Sequence, residues 1–273
     1  MERVKALLGS RGKKIRNTEH VFIADGVQSL RSALIPKIST APIIEKLYLT
    51  ETGQGKIRAE FAQEILDQYE VIMVSEQVMN AMAETESPQG ILALCKYLPS
   101  DLSKFQGTGI KRVAFFWEIQ DPGNAGTAIR TADACGFDLV LFSPNCVDAY
   151  SPKVIRSTAG SMWHIPIATD ITLEVFEEFA KSNQIHIYAL DGAGENELKD
   201  IDQKAPAALV FGNEARGLPQ LPTSFQSVKI PMSGHAESFN VASAAAIAMF
   251  PSQRGLFLSS LSHYDLYRGF TFS

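Results

Sequence analysis

The chain reads as an α/β protein in two units, a smaller α/β unit first and a larger one built on a parallel sheet. Three observations predict this. Short apolar runs alternate with amphipathic stretches along nearly the whole chain. The apolar runs of the second half are almost continuous, as strands covered on both faces are. A polar, turn-rich stretch, "PSDLSKFQGTGIKR", separates the two alternations and reads as a linker, so the expected units are 1–100 and 110–250, with 251–273 as an atypical end.

The elements follow in order. "HVFIADGVQSLRSAL" predicts a strand and then a helix, "IEKLYLT" a strand, "IRAEFAQEILDQY" a helix, "EVIMVS" a strand and "GILALCKYL" a strand. Beyond the linker, "RVAFFWEI" is a buried strand, "NAGTAIRTADAC" a helix closed by Gly136, "DLVLFS" a strand and "PKVIRSTAG" a helix. "TLEVFEEFAKSN" is a helix, while "IHIYAL" and "AALVFG" are strands. The last stretch, "IPMSGHAESFNVASAAAIAMF", begins strand-like, becomes a polar loop and ends as a helix of small residues able to approach neighbouring backbone closely.

Composition narrows the functions. With 273 residues and 45% hydrophobic content the chain can bury a large core. No apolar stretch is long enough to span a bilayer, and the start lacks an apolar signal region, so no membrane role and a cytoplasmic address are expected. Cys95, Cys135 and Cys146 have no paired spacing and read as small core residues of a reducing compartment. The five histidines form no ligand cluster, so no metal is expected. The net charge of −5 argues against nucleic acid, yet Arg3, Lys5, Arg11, Lys13, Lys14 and Arg16 are opposed only by Glu2 in the first sixteen residues. Such an arm can neutralise phosphates locally, or be a solvated terminal helix.

Three loops concentrate polar residues where a parallel sheet binds ligands, beyond the carboxyl ends of its strands. They are "QDPGNAGTAIR", "FGNEARGLP" and "MSGHAESFN". The first resembles a phosphate cradle, but it lacks the Gly-Lys-Ser/Thr ending of a P-loop and the glycine spacing of a dinucleotide turn. A nucleotide-using hydrolase therefore ranks last. Taken singly, Arg130 reads as a surface ion pair, Glu214 as a helix cap, and Ser238 or Asn240 as an N-cap. The recurrence of three such loops at one edge points to a binding site.

These residues resemble the signature motifs of the SpoU/TrmH family of RNA ribose 2′-O-methyltransferases, in the SPOUT superfamily. Asn124-x-Gly126-x-x-x-Arg130-x-Ala132 resembles the first motif, residues 209–218 the second, and Ile230-Pro231-Met232 through Ser238-Phe239-Asn240-Val241 the third. "SPKVIRSTAGSMWHIPI" is similar to the family's intervening segment, and "FIADGVQSL" with "ETESPQGILALCK" to its ribosomal-RNA-binding domain. The resemblance implies a SPOUT domain with a trefoil knot, a bent S-adenosylmethionine as methyl donor, no metal, and a homodimer with its active site near the subunit interface. It implies Gly212, Ile230, Met232 and Phe239 as donor contacts, and Asn124, Arg130, Glu214, Ser238 and Asn240 as the catalytic set. Arg130 is then either the base, helped by an RNA phosphate, or an anchor for the ribose. Arg11, Lys13, Lys14 and Arg16 are the expected RNA contacts. The implied substrate is ribosomal RNA, with transfer RNA and a non-catalytic RNA-binding protein of the same fold as alternatives. Two departures stand out: Ala215 replaces a frequent glycine, and Pro251 ends the last helix before a tail unlike the family's.

Overall fold

A computed structural model describes residues 1–9, 11–39, 42–61, 66–98, 101–202 and 205–250. The expected tail from Pro251 onward lies outside them. So do residues 62–65 of the expected helix at 57–69, and Pro99 and Ser100 of the expected linker.

The first unit opens with helices α1 (Glu2–Leu8) and α2 (Gly12–Glu19), so the basic arm is folded. Strand β1 (Val21–Asp25) and helix α3 (Val27–Leu34) follow as expected, then β2 (Ile44–Leu49). The next helix, α4 (Glu51–Glu60), starts six residues before the expected Ile57. Thr50 caps it by accepting from the Gly53 amide, and Gly53 is required because an added Cβ would lie 2.0 Å from the Gly90 carbonyl oxygen. Strand β3 (Glu70–Met73), helix α5 (Glu76–Met82), which the apolar pattern did not predict, and strand β4 (Ile91–Lys96) complete the unit. The sheet order is β1-β4-β2-β3, with β4 antiparallel to both neighbours and β2 parallel to β3. Alternation splits its faces. Val21, Ile23, Leu92 and Leu94 pack with Val4, Leu7, Met79 and Met82, while Phe22, Leu47, Leu49, Ile91 and Ala93 meet Leu30, Ala33 and Ile57.

The linker is not a bare tether, since Leu102 is buried against the second unit. That unit contains β5 (Arg112–Phe116), α6 (Pro122–Ala134), β6 (Leu139–Phe142), α7 (Pro152–Ser157), β7 (Ile167–Ala168) and α8 (Leu173–Ser182). It continues with β8 (His186–Leu190), β9 (Asn196–Glu197), β10 (Ala207–Phe211), β11 (Phe225–Lys229) and α9 (Val241–Met249). Strands β7 and β9 are too short for an apolar pattern to reveal. The final strand stops at Lys229, so the expected strand-like "IPM" is loop. The sheet is wholly parallel in the order β7-β6-β5-β10-β8-β11-β9. One face packs Phe116, Phe142 and Phe211 with α6 and α9. The other packs Phe115, Leu141 and Val210 against Phe176 and Phe179 of α8.

The two units share one apolar core. Phe22 of β1 lies 5.1 Å from the Tyr150 ring and 6.1 Å from Trp163, and Tyr97 stacks on Tyr150 at 3.9 Å. Beside this cluster Arg16 is 5% exposed. Its Nε donates to Asp148 Oδ2 at 3.0 Å, Nη2 pairs with the same oxygen, and Nη1 donates to the Leu7 carbonyl. Arg16 is therefore no phosphate ligand, which corrects the expectation from charge. It is a buried ion pair joining the units. Arg11, Lys13 and Lys14 remain exposed. Cys95 is buried, whereas Cys135 and Cys146 are only partly buried against the core. Burial pushes all three thiols up. Among the described residues no helix is long and apolar enough to cross a membrane, and no group of three His, Cys, Asp or Glu could hold a metal ion.

Candidate active site at the carboxyl edge of the parallel sheet

Strand β10 lies between β5 and β8, with Phe211 in register with both Phe116 and Leu190. The loops leaving these strands, and the one leaving β11, therefore start side by side. Each has a local reason for its shape. Asp121 caps α6 by accepting from the Asn124 amide at 2.8 Å, with Pro122 in the first turn, where it needs no donor. A Cβ on Gly126 would lie 2.3 Å from Ser157 Cβ and 2.8 Å from the Val154 carbonyl oxygen. This glycine serves the crossing of α6 and α7 and is no phosphate contact.

After β10 the chain closes a tight hairpin. Asn213 and Gly217 exchange both backbone hydrogen bonds at 2.9 Å, and Gly217 takes the left-handed φ of +68°. The Asn213 side chain, 8% exposed, fills the hairpin. Its Oδ1 accepts from the Ala215 and Arg216 amides, and its Nδ2 donates to the Glu118 carbonyl at 2.7 Å. Gly212 lies under the turn, where a Cβ would sit 2.6 Å from Gly217. Ala215 has no positive φ, so the side chain that replaces the frequent glycine is tolerated.

The three motif loops are bonded to one another in a fixed direction. Asn240 Oδ1 accepts from the Ala242 and Ser243 amides and so caps α9. Its Nδ2 donates to Asn124 Oδ1 at 3.0 Å, and Asn124 Nδ2 donates to Glu214 Oε1 at 3.1 Å. Capping fixes the orientation of Asn240, which fixes that of Asn124, which aims a donor at the carboxylate. Asn240 is thus both the helix cap and a site residue. The helix it caps lies along α6, and the alanines Ala125, Ala128 and Ala132 on one side and Ala242, Ala245 and Ala248 on the other allow the approach.

Beside Glu214 opens a cavity of about 410 Å³, lined among others by Asp191, Gly212, Glu214, Ile230, Ser238 and Phe239. That lies within the roughly 300–1,000 Å³ range of small-molecule pockets. Leu190, Leu218, Ile230 and Val241 supply apolar wall, and Asp191, Asn213 and Glu237 supply polar groups. Of the expected donor contacts, Gly212, Ile230 and Phe239 line it and Met232 does not. Of the expected catalytic set, Glu214 and Ser238 line it, and Asn124 and Asn240 buttress Glu214. Arg130 is not brought in: it is exposed on α6, and among the described residues its side chain has no hydrogen-bond or ion-pair partner. Sequence reasoning passed over Asp191, Asn213 and Glu118. Asp191 directly follows β8 and Asn213 follows β10 after Gly212, and an Asn before a Gly-bearing turn is a legible signal. Glu118 has none, since its carboxylate meets Arg216 at 2.6 Å and Asn145 at 3.2 Å, both remote in sequence.

A parallel sheet with glycine-bearing loops gathered round one cavity at its carboxyl edge defines an α/β protein that binds a nucleotide-like molecule beyond its strands. Within that class, residues 111–250 match the SpoU rRNA Methylase family and residues 2–93 the MRM3-like substrate binding domain. The chain belongs to the SpoU family. It is similar to the 23S rRNA (guanosine(2553)-2'-O)-methyltransferase RlmP of Bacillus subtilis, 32% identical over 240 residues that cover 87% of this chain and 90% of the relative. It is 28% identical over 260 residues to the 23S rRNA (uridine(2479)-2'-O)-methyltransferase of Streptomyces viridochromogenes, covering 92% and 88%. The crystal structure of an AdoMet-bound rRNA methyltransferase from Sinorhizobium meliloti superposes with a TM-score of 0.78 at 28% identity, over 96% of this chain and 95% of that one.

Proposed function

We propose that the protein transfers a methyl group from S-adenosylmethionine to a ribose 2′-hydroxyl of ribosomal RNA. The observation that carries the reading is the directed bond chain Asn240–Asn124–Glu214, which ends on the cavity wall at Glu214, because it unites all three motif loops at one place. The cavity fits the donor in size and in its mix of apolar wall, backbone and carboxylates. Gly212, Ile230 and Phe239 would hold it, and Asp191 and Glu237 could take its hydroxyl or amino groups. S-adenosylmethionine supplies, when bound, an electrophilic methyl on a sulfonium.

The chain's own part is to place the ribose in line and to accommodate the hydroxyl proton. Glu214, on the cavity wall, keeps one carboxylate oxygen engaged by Asn124. Ser238 stands on the same wall. Arg130 serves as base, with help from an RNA phosphate, or as anchor for the ribose. Its guanidinium ordinarily keeps its proton, which favours the anchor.

Residues 1–100 serve as the RNA-binding part and 110–250 as the transferase. The protein works as a homodimer: Phe239 at the cavity and Met232 in the same loop are 41% and 38% exposed, Ile247 and Phe250 along and after α9 are 38% and 52% exposed, and a second copy would cover them. The trefoil knot belongs to this reading, with α9 as the threaded segment, as does a cytoplasmic location, which suits three unpaired thiols. Two measurements test it: equilibrium binding of S-adenosylmethionine, and mapping of 2′-O-methyl positions in total RNA from cells with and without the gene. Loss of one ribosomal 2′-O-methyl supports the reading. Binding of RNA without the donor would make the protein a non-catalytic RNA binder, and loss of a mark in transfer RNA would move the substrate.

A further inference from the structure

Helix α2 presents Lys13, Arg16, Asn17 and His20 on one face, at spacings of three and four. Arg16 turns inward to Asp148, and the others stay at the surface. Lys13 and Asn17, with Tyr97, Ser143, Thr169 and Asp170, line a cleft of about 50 Å³ between the two units. No nucleotide enters a space that small, so any contact runs along its rim.

The rim is built rigidly. Tyr97 stacks on Tyr150 at 3.9 Å and 15°, and the His20 ring meets Tyr97 edge-on at 5.9 Å and 72°. The Tyr97 hydroxyl donates to Asn17 Oδ1 at 2.9 Å. His20, at the left-handed φ of 53° that ends α2, keeps its ring exposed. The cleft also adjoins the candidate active site, since its wall residue Ser143 accepts through its hydroxyl from the Glu118 amide at 2.8 Å, and the Glu118 carbonyl holds Asn213. Of the two carboxylates in the cleft, Asp148 is neutralised by Arg16. Asp170 is exposed and accepts from the Thr169 hydroxyl. Lys13 makes no ion pair with a described residue.

We propose that this rim is an RNA grip at the junction of the units, with Lys13 on a backbone phosphate and the exposed His20 ring, held through its edge-on contact with Tyr97, against an unpaired base. Arg16 is then the positioning residue that holds α2 in place. The proposal rests on the RNA-methylation reading. Phosphate contacts set the salt dependence of binding, whereas base stacking adds affinity without changing it. Lys14 lies about 100° round the helix from Lys13 and takes no part.

The test measures fluorescence anisotropy of a labelled oligouridylate single strand, titrated against salt, for the full chain and three variants. Lys13→Gln should flatten the slope of log K against log salt by about 0.7, the value for one single-strand phosphate. Lys14→Gln should leave the slope unchanged. His20→Ala should weaken binding about fivefold or more at unchanged slope, the lower end for one stacked base. S-adenosylmethionine affinity and the unfolding midpoint should match the parent in all three. Equal flattening by Lys13→Gln and Lys14→Gln, or parental binding by both Lys13→Gln and His20→Ala, would overturn the grip and leave the methylation reading standing. A parent chain that binds S-adenosylmethionine but neither the oligouridylate nor ribosomal RNA would overturn both.

Discussion

Replacing Asp148 with alanine tests how the two units are held together. The Arg16 and Asp148 side chains are 6% and 10% exposed, and two guanidinium nitrogens contact one carboxylate oxygen. Without Asp148 the guanidinium stays buried with its charge unpaired, keeping the Leu7 carbonyl and the Tyr97 hydroxyl as neutral acceptors, and breaking such a pair costs about 3–5 kcal/mol. At roughly 2–4 °C per kcal/mol for a chain of this size, the midpoint should fall by about 6–20 °C. Circular dichroism melts check this. The double variant Arg16→Met with Asp148→Leu should recover most of the loss, because apolar replacement of a whole buried pair is often neutral. If Asp148→Ala melted within about 1 kcal/mol of the parent, the pair would be solvent-screened in solution and no clasp.

Arg130→Ala should leave folding and S-adenosylmethionine affinity nearly intact and lower single-turnover methyl transfer about a hundredfold or more; turnover within a few fold would remove Arg130 from the mechanism. Gly212→Ala forces a Cβ to within 2.6 Å of Gly217 and should open the hairpin beside the cavity. Calorimetry should then find S-adenosylmethionine bound more weakly by about fivefold or more, for an overpacking cost of about 1–3 kcal/mol. Asp25 has its pKa raised, chiefly by burial and against the opposing Thr85 hydrogen bond. A raised carboxyl pKa means that the folded state holds the proton more tightly, so stability is favoured below the ordinary value of 3.8 and lost as pH rises through the folded value. Asp25→Asn should therefore stabilise the protein at pH 7 in denaturant titrations, with the difference from the parent shrinking toward pH 4.

Much of the fold was legible because buried parallel strands are continuous apolar runs: "RVAFFWEI", "DLVLFS" and "AALVFG" each sit where the pattern put them. Helix α4 starts earlier than expected, in a first turn that holds Gly53 and Gly55, and the need for Gly53 lies in Gly90, thirty-seven positions on. The motif loops could be found because their Asn, Glu and Gly spacings are local. Arg16 could not be separated from Lys13 and Lys14, because its burial depends on Asp148, 132 residues away. For the same reason Glu118 carried no signal, and Met232, expected beside the donor, lies off the cavity because the loop between Ile230 and Glu237 leaves its wall.

The central claim is that the cavity and its three loops deliver a methyl group to a ribose oxygen of ribosomal RNA. Its most direct test incubates the purified chain with methyl-labelled S-adenosylmethionine and ribosomal RNA from cells lacking the gene, then hydrolyses the RNA in alkali. A 2′-O-methyl blocks attack on the neighbouring phosphate, so label should be recovered in alkali-resistant dinucleotides and vanish when Arg130→Ala replaces the parent. Label released as mononucleotides would mean base methylation, and no incorporation by a chain that binds both donor and RNA would mean that the site does not catalyse the transfer.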